Sequence, residues 1–294
     1  MRVLICSDGT AVADTPTRLG GLVAGPGKAP VTLLGIAEGS EGEQRLQAAL
    51  RSEAKLLGDL GVTPEIVVRS GEPIDEILRQ TNKEKYDLVV IGARIQRRSG
   101  EYWRSHRTYE LIQSIPAPVL VASGECQSLS KFLVCTGGKR YIDPAIALTG
   151  ELAANVGASV TLLHVMAEPP NIFADLMRRE EDVEALLGSG SELGENLRSE
   201  KESLEKLGVT VEVRVRHGLV LDQVFAELRA RKYDMIVIGS SGARGALQQY
   251  IMGDLTRSIV NRSDCPVLVA RSETGAGGGL WRAFKGIFAS NRSD

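Results

Sequence analysis

Between Gly239 and Asp254 the chain reads GSSGARGALQQYIMGD. Glycines at 239, 242 and 253, set between an apolar run and a helical pattern, are what a phosphate-cradling loop requires. Without a Cβ the backbone comes close to an anion, and successive N–H groups with a helix N-terminus favour negative charge. A tight turn that lets a helix pack closely on the preceding strand asks for the same residues. A second stretch at a strand end is CSDGT, which places Asp8 just after the first apolar run. The corresponding stretch farther along is CTGGK, so Thr136, Gly137, Gly138 and Lys139 stand there with no acid among them.

Other residues offer weaker chemistry. Arg94 to Arg107, RIQRRSGEYWRSHR, holds five arginines with a tyrosine, a tryptophan and a histidine. Such a stretch can hold an anion, a phosphorylated protein partner or single-stranded nucleic acid. It can equally be a solvated loop whose arginines pair with Glu101 and Glu110. His106, His164 and His217 have no metal-ligand spacing; His164 and His217 each end a strand-like run, so either could face a cleft. Cys6, Cys126, Cys135 and Cys265 form no CxxC and no pair with a histidine, which reads as buried small hydrophobes in a reducing compartment. No GxSxG, HExxH or GxxxxGK[ST] motif appears, so turnover beyond a weak ATPase has no visible machinery.

The elements that must position these residues come in two copies. VLICSDG at Val3 answers FLVCTGG at Phe132, and VTLLGIAE at Val31 answers VTLLHVMAE at Val160, both at an offset of 129. LGVTPEIVVRSGEPIDEIL at Leu60 answers LGVTVEVRVRHGLVLDQVF at Leu207, and YDLVVIG at Tyr86 answers YDMIVIG at Tyr233, at an offset of 147. APVLVAS at Ala117 answers CPVLVARS at Cys265 at 148. The second copy therefore holds about 18 extra residues between Val165 and Leu207, read as a loop or a charged helix extension through RREEDVEALL.

Within the first copy, strands are expected at 2–7, 30–36, 64–69, 86–92 and 118–122, with helices at 15–24, 41–60, 73–84 and 105–114. LVVIG and MIVIG are continuous and apolar, as in strands covered on both faces of a parallel sheet. Leu46, Leu50, Leu57 and Leu60 give the second helix an inward stripe. The alternation predicts an α/β protein of two tandem, doubly wound, five-stranded parallel-sheet domains, 1–124 and 130–272, followed by a tail over 273–294. Ligands of such sheets bind beyond the carboxyl ends of strands 1 and 4, where Asp8, Thr136 to Lys139 and the glycine stretch fall.

These residues resemble the universal stress protein family in its tandem two-domain form. The resemblance rests on VIGSSGARGAL, GDLTRSIV and CPVLVAR, on the two YD strands, and on the first strands ending in CSDG and CTGG. It implies a Rossmann-like domain of the adenine-nucleotide alpha hydrolase type and a stress-response or signalling role. ATP-binding members carry G-x2-G-x9-G-[ST] and an acid after strand 1. The acid contacts the adenosine part, and the loop amides with the final hydroxyl hold phosphates. The second copy supplies Gly239, Gly242 and Gly253 but spaces the last pair by ten residues and puts Asp254 at the hydroxyl position. An ionised carboxylate there repels a γ-phosphate, a charge that Lys139 could offset. The first copy keeps Asp8 and lacks the second and third glycines. One pocket needs both halves in one domain, unless the copies share a site across their interface. ATP, with Mg, is the expected ligand if a nucleotide binds at all.

Composition limits the alternatives. A net charge of −2 gives no global pull toward DNA or a membrane surface, and no apolar run reaches the roughly 20 residues of a membrane span. MRVLICSDGT reads as a strand and turn rather than a leader, so a cytoplasmic protein is expected. The resemblance implies that Pro118–Ala122 and Pro266–Ala270 meet in an internal pseudo-dimer, each covering the other's unpaired edge. Two chains could further pair as a homodimer. After the TGAGGG linker, Trp281, Phe284, Ile287 and Phe288 form a short apolar stripe that could dock on a protein partner. Three functions stay open: a ligand-sensing or partner-binding stress module regulated by ATP, a slow ATP hydrolase, and a nucleotide-free interaction scaffold.

Overall fold

In the computed structural model of the protein, residues 1–10, 14–37, 43–92, 95–98, 101–104, 106–124, 126–138, 143–167, 183–240 and 255–271 are described. The first repeat runs β1 (Val3–Ser7), α1 (Asp14–Ala24), β2 (Val31–Ala37), α2 (Glu43–Asp59), β3 (Glu65–Ser70), α3 (Pro73–Lys83) and β4 (Leu88–Gly92). An antiparallel hairpin follows, β5 (Ile95–Arg98) and β6 (Glu101–Arg104), then α4 (His106–Ser114) and β7 (Val119–Ala122). The second repeat runs β8 (Lys131–Thr136), α5 (Asp143–Val156), β9 (Ser159–Met166), α6 (Val183–Gly188), α7 (Glu192–Glu205), β10 (Val211–His217), α8 (Val220–Ala230) and β11 (Met235–Ser240). A helix over 255–262, α9, and β12 (Val267–Arg271) complete it.

The apolar runs become strands because both faces of the sheet are covered. Val3 and Ile5 of β1 point to the side of α1 and α2, and Leu4 points to the other side, toward Ile112 and Ile115. In the second repeat Phe132 and Val134 of β8 face one layer and Leu133 the other. Each YD pair anchors the two strands between which the strand order reverses. Asp87 Oδ2 accepts from the Arg2 N–H at 2.6 Å, and Asp234 Oδ2 accepts from the N–H groups of Ser130 and Lys131 at 2.8 and 3.0 Å.

All ten main strands form one sheet, in the order β10-β9-β8-β11-β12-β7-β4-β1-β2-β3. Neighbours run parallel except β7 and β12, which pair antiparallel with Val121 opposite Val267, Leu120 opposite Leu268 and Val119 opposite Val269. Leu120 and Leu268 are equivalent positions of the two repeats, so a pseudo-two-fold axis passes between them. The seam joins the last strands of the repeats, and it removes two sheet edges at once. It is tied further by Ser123 Oγ donating to the Cys265 carbonyl at 2.8 Å and by the Arg271 guanidinium donating to the Ile112 carbonyl. Gly124 ends the first repeat at φ +67°, and a Cβ there would collide with the Asp264 carbonyl oxygen. Only glycine fits both demands.

The seam has a geometric consequence. Strands parallel within each repeat run in opposite directions across it, so the carboxyl ends of β1 and β4 lie at the sheet edge opposite those of β8 and β11.

Two local expectations differ from what is found. The arginine-rich stretch, expected as an open loop, forms the β5–β6 hairpin, with Arg98 opposite Glu101. The charged inserted segment, expected to extend a helix, contributes the separate short helix α6. Gly188, Ser189, Gly190 and Ser191 interrupt it, and Ser191 caps α7 by accepting from the Gly194 N–H at 3.1 Å. A serine ready to satisfy a first-turn N–H starts a new helix in preference to continuing the old one.

Candidate functional site

The strand order reverses between β8 and β11 in the second repeat and between β1 and β4 in the first. The turn after β8 is built from Thr136, Gly137 and Gly138. Thr136 Oγ1 accepts from the Gly138 N–H at 3.0 Å and donates to Glu200 Oε1 at 2.9 Å. The Gly138 carbonyl accepts from Asn196 Nδ2 at 2.9 Å. Gly138 has φ +64°, and a Cβ on it would overlap Leu193 and come within 3.2 Å of His164 Cε1. This glycine is required by the turn and its ceiling, and both its polar groups are already occupied.

His164 lies one strand over, opposite Thr136 in the β8–β9 register, with Nδ1 3.0 Å from the Thr136 carbonyl. A carbonyl only accepts, so Nδ1 carries the proton and Nε2 is left as an acceptor. Burial lowers its value from the ordinary imidazole range, the Thr136 bond opposes this and His217 adds to it, so the ring stays neutral near pH 7.

The first repeat is built on the same plan with other residues. Ser7 Oγ accepts from the Gly9 N–H at 3.0 Å and donates to Glu53 Oε1 at 2.6 Å. Thr17 Oγ1 donates to Glu53 Oε2 at 2.7 Å, so both carboxylate oxygens are held. Asp8 is exposed and closes a small local turn, its Oδ1 accepting from the Thr10 N–H at 3.1 Å and the Thr10 hydroxyl at 2.7 Å. Gly35 stands where the second repeat has His164, and its Cα lies under Leu50 and Leu46.

Of the residues singled out in the sequence, Thr136, Gly137, Gly138 and Gly239 come together at the ends of neighbouring strands β8 and β11. Gly239 pairs with Ala270 within the sheet. Lys139, Gly242, Gly253 and Asp254 lie outside the described residues, as do 273–294. Asp8 sits at the opposite edge of the sheet, five strand steps away, about 24 Å along it. The Thr136–Gly138 turn and Asp8 therefore do not line one pocket.

Glu53 and Glu200 were not expected as site residues. Their signal was present: each falls on the inward stripe of its helix, between Leu50 and Leu57 and between Leu197 and Leu204. A charge in phase with leucines, repeated in both copies, marks a buried carboxyl. Cys6, Cys126 and Cys135 are poor nucleophiles, because desolvation pushes Cys6 and Cys135 up to about 12 and Cys126 to about 11. Thr136 and Ser7 each donate to a carboxylate but are 6% and 7% exposed, so these pairs are sealed inside.

Comparison with known proteins fits this architecture. The profile of the Universal stress protein family matches residues 22–123 and again 129–271. The chain belongs to the universal stress protein family. Among curated members, Universal stress protein Slr1230 of Synechocystis is 20% identical over 232 residues, covering 78% of this chain and 72% of its own length. Universal stress protein YxiE of Bacillus subtilis is 26% identical over 155 residues, covering 48% of this chain and 99% of its own length. The crystal structure of a universal stress protein from Archaeoglobus fulgidus superposes with a TM-score of 0.68 at 17% identity, over 92% of this chain and 98% of that one. Membership of the universal stress protein family carries with it a role in the stress response. Among the described residues, no helix of this universal stress protein is long and apolar enough to cross a membrane.

Proposed function

We propose that this chain is a stress-response module whose second domain, 130–272, senses a ligand at the β8–β11 switch point, while the first domain, 1–124, serves mainly as its covalently attached partner. The ligand class is an adenine nucleotide, ATP with Mg, and its role is regulatory rather than that of a substrate turned over quickly. The observation that carries this reading is a contrast at equivalent positions. Gly239 near the end of β11 and Gly92 at the end of β4 correspond, but beyond β11 the sequence runs through Gly242 and Gly253, whereas after β4 the chain enters the β5–β6 hairpin.

The residues fit a nucleotide in part. Phosphates would meet the glycine stretch and Lys139, and Gly239 brings that stretch to the strand end. At the turn after β8, Gly137 stands where the first repeat has Asp8, so ribose hydroxyls find no carboxylate there, and the Gly138 N–H and carbonyl are already engaged. Affinity would thus come from the phosphate end. The same saturation favours a second reading, a nucleotide-free scaffold that binds a protein through Arg94–Arg107 or the Trp281–Phe288 tail.

Thermal unfolding with and without millimolar Mg-ATP separates the two. Ligand at about 100 times its dissociation constant adds about 2.7 kcal/mol, a plain rise in Tm. The expected result is a rise in wild type and in Asp8→Ala, and none in Gly242→Val. No rise in any form removes the nucleotide reading and leaves the scaffold.

A further inference from the structure

We infer that the turn after β8 is a proton-operated latch with Glu200 as its trigger: a neutral Glu200 carboxyl keeps the Thr136–Gly138 turn closed, and an ionised one loosens it. The device does not depend on whether a nucleotide occupies the neighbouring cleft.

Glu200 is 4% exposed, and among the described residues only Thr136 binds it, through Oε1. Its other oxygen, Oε2, is buried and makes no hydrogen bond among the described residues. In the first repeat the equivalent oxygen of Glu53 receives the Thr17 hydroxyl. Thr17 corresponds to Ile146, which has nothing to donate and is itself buried. One substitution, more than fifty residues away in sequence, thus leaves a carboxyl half-satisfied in an apolar layer.

A buried carboxylate with an unsolvated oxygen is far costlier than the neutral acid. Desolvation accordingly raises Glu200 from the ordinary 4.5 to about 7; the Thr136 bond opposes the shift, and Asp143 at the start of α5 adds to it. The surrounding elements also carry Glu151 on α5, His164 on β9, Glu184 on α6 and His217 at the end of β10, while Glu212, Arg214 and Arg216 of β10 and Lys131 of β8 are engaged with Glu227, Arg231 and Tyr233 on the other face. On α7 itself, Lys201 pairs with Glu205 at 2.6 Å, and Arg198 donates to the Ser189 carbonyl at 3.2 Å. Among the described residues no cation pairs with Glu200. When its proton leaves, the single Thr136 bond does not make up for the lost solvation, and among the described residues the bare Oε2 is relieved by water, which enters as the Thr136–Gly138 turn over it loosens. That turn carries Gly138, whose N–H hangs on the same Thr136 hydroxyl.

The sign follows from proton counting. Between about pH 4.5 and about pH 7 the folded chain holds a proton at Glu200 that the unfolded chain has lost. Stability from this group is full below the lower value and falls as pH rises through the upper one.

The test uses the full chain, with thermal unfolding and hydrogen exchange at the Gly138 amide from about pH 5 to about pH 8.5, exchange being corrected for its intrinsic pH dependence. Wild type should lose Tm from about pH 5 to about pH 7 and level off above it, with Gly138 protection falling as Glu200 ionises about pH 7. Glu200→Gln should be flat in this range. Ile146→Thr, which supplies the missing hydroxyl, should move the transition down by about one pH unit. Identical profiles for wild type and Glu200→Gln overturn the latch. So does an Ile146→Thr transition that stays where it was, and that comparison decides the matter even where Glu200→Gln fails to fold.

Discussion

At the end of β1, Glu53 is gripped through both oxygens by Ser7 and Thr17; at the end of β8, Glu200 is gripped through one by Thr136. The backbones of the two ends match, and so do the leucines in front of and behind each glutamate. What differs is the shell: Thr17, Gly35, Ala49 and Ser70 in the first repeat answer Ile146, His164, Asn196 and His217 in the second. The first repeat ends in a saturated, inert knot. The second gathers an imidazole, an amide and an under-bonded carboxyl at the mouth of its cleft. The lesson is that a duplicated fold keeps its architecture with its apolar residues and changes its chemistry through a few polar ones.

The opposite face of the sheet repeats the contrast. In the first repeat Gln80, Tyr86 and Thr32 are joined by hydrogen bonds of 2.8 and 3.2 Å, and Arg69, the counterpart of Arg216, donates to the uncharged Gln80 at 3.0 Å. In the second, Glu227 replaces Gln80, is fully buried, and is bound by Tyr233 at 2.8 Å and by Arg216 at 2.6 to 2.8 Å. Burial alone would push Glu227 up, but Tyr233, Arg216 and the charge of Arg214 outweigh it and hold the carboxyl below its usual range.

The largest effect should therefore come from breaking the charged version. Glu227→Ala strands Arg216 and Arg214 and should cost about 3–5 kcal/mol, against about 1–3 for Gln80→Ala, as read by urea unfolding. Equal costs would mean that charge is irrelevant to this face. Thr17→Ile should make the first repeat behave like the second. It removes the Thr17 donor from Glu53 Oε2, costs about 1–3 kcal/mol at pH 8, and brings in a loss of Tm with rising pH. A pH-independent cost would show that the hydroxyl only fills space. The smallest effect is expected at Leu219, 73% exposed at the head of α8, where Leu219→Ser should change stability by less than about 0.5 kcal/mol. A larger loss would show that the exposed leucine is covered in solution.

Much of this architecture was legible in the residues themselves. LVVIG and MIVIG announce strands covered on both faces, and the constant offsets between copies fix which elements correspond. The hairpin β5–β6 was not legible, because RIQRRSGEYWR has no apolar alternation to mark a strand. The break between α6 and α7 was written as Gly-Ser-Gly-Ser but was outweighed by the charged helical pattern before it. The state of Glu200 was hidden for a deeper reason. It depends on Ile146, a residue on another helix, and local patterns do not report what lies across a layer.

The seam between Leu120 and Leu268 has an evolutionary corollary. In a symmetric assembly of two identical chains, every substitution appears twice, and a change helpful to one cleft is imposed on the other. Here both halves lie on one polypeptide, each shielding its sibling's flank, so an isoleucine can be tried at one site while a threonine is kept at the other. The two mouths also open toward opposite horizons, so whatever docks at one leaves the other unobstructed.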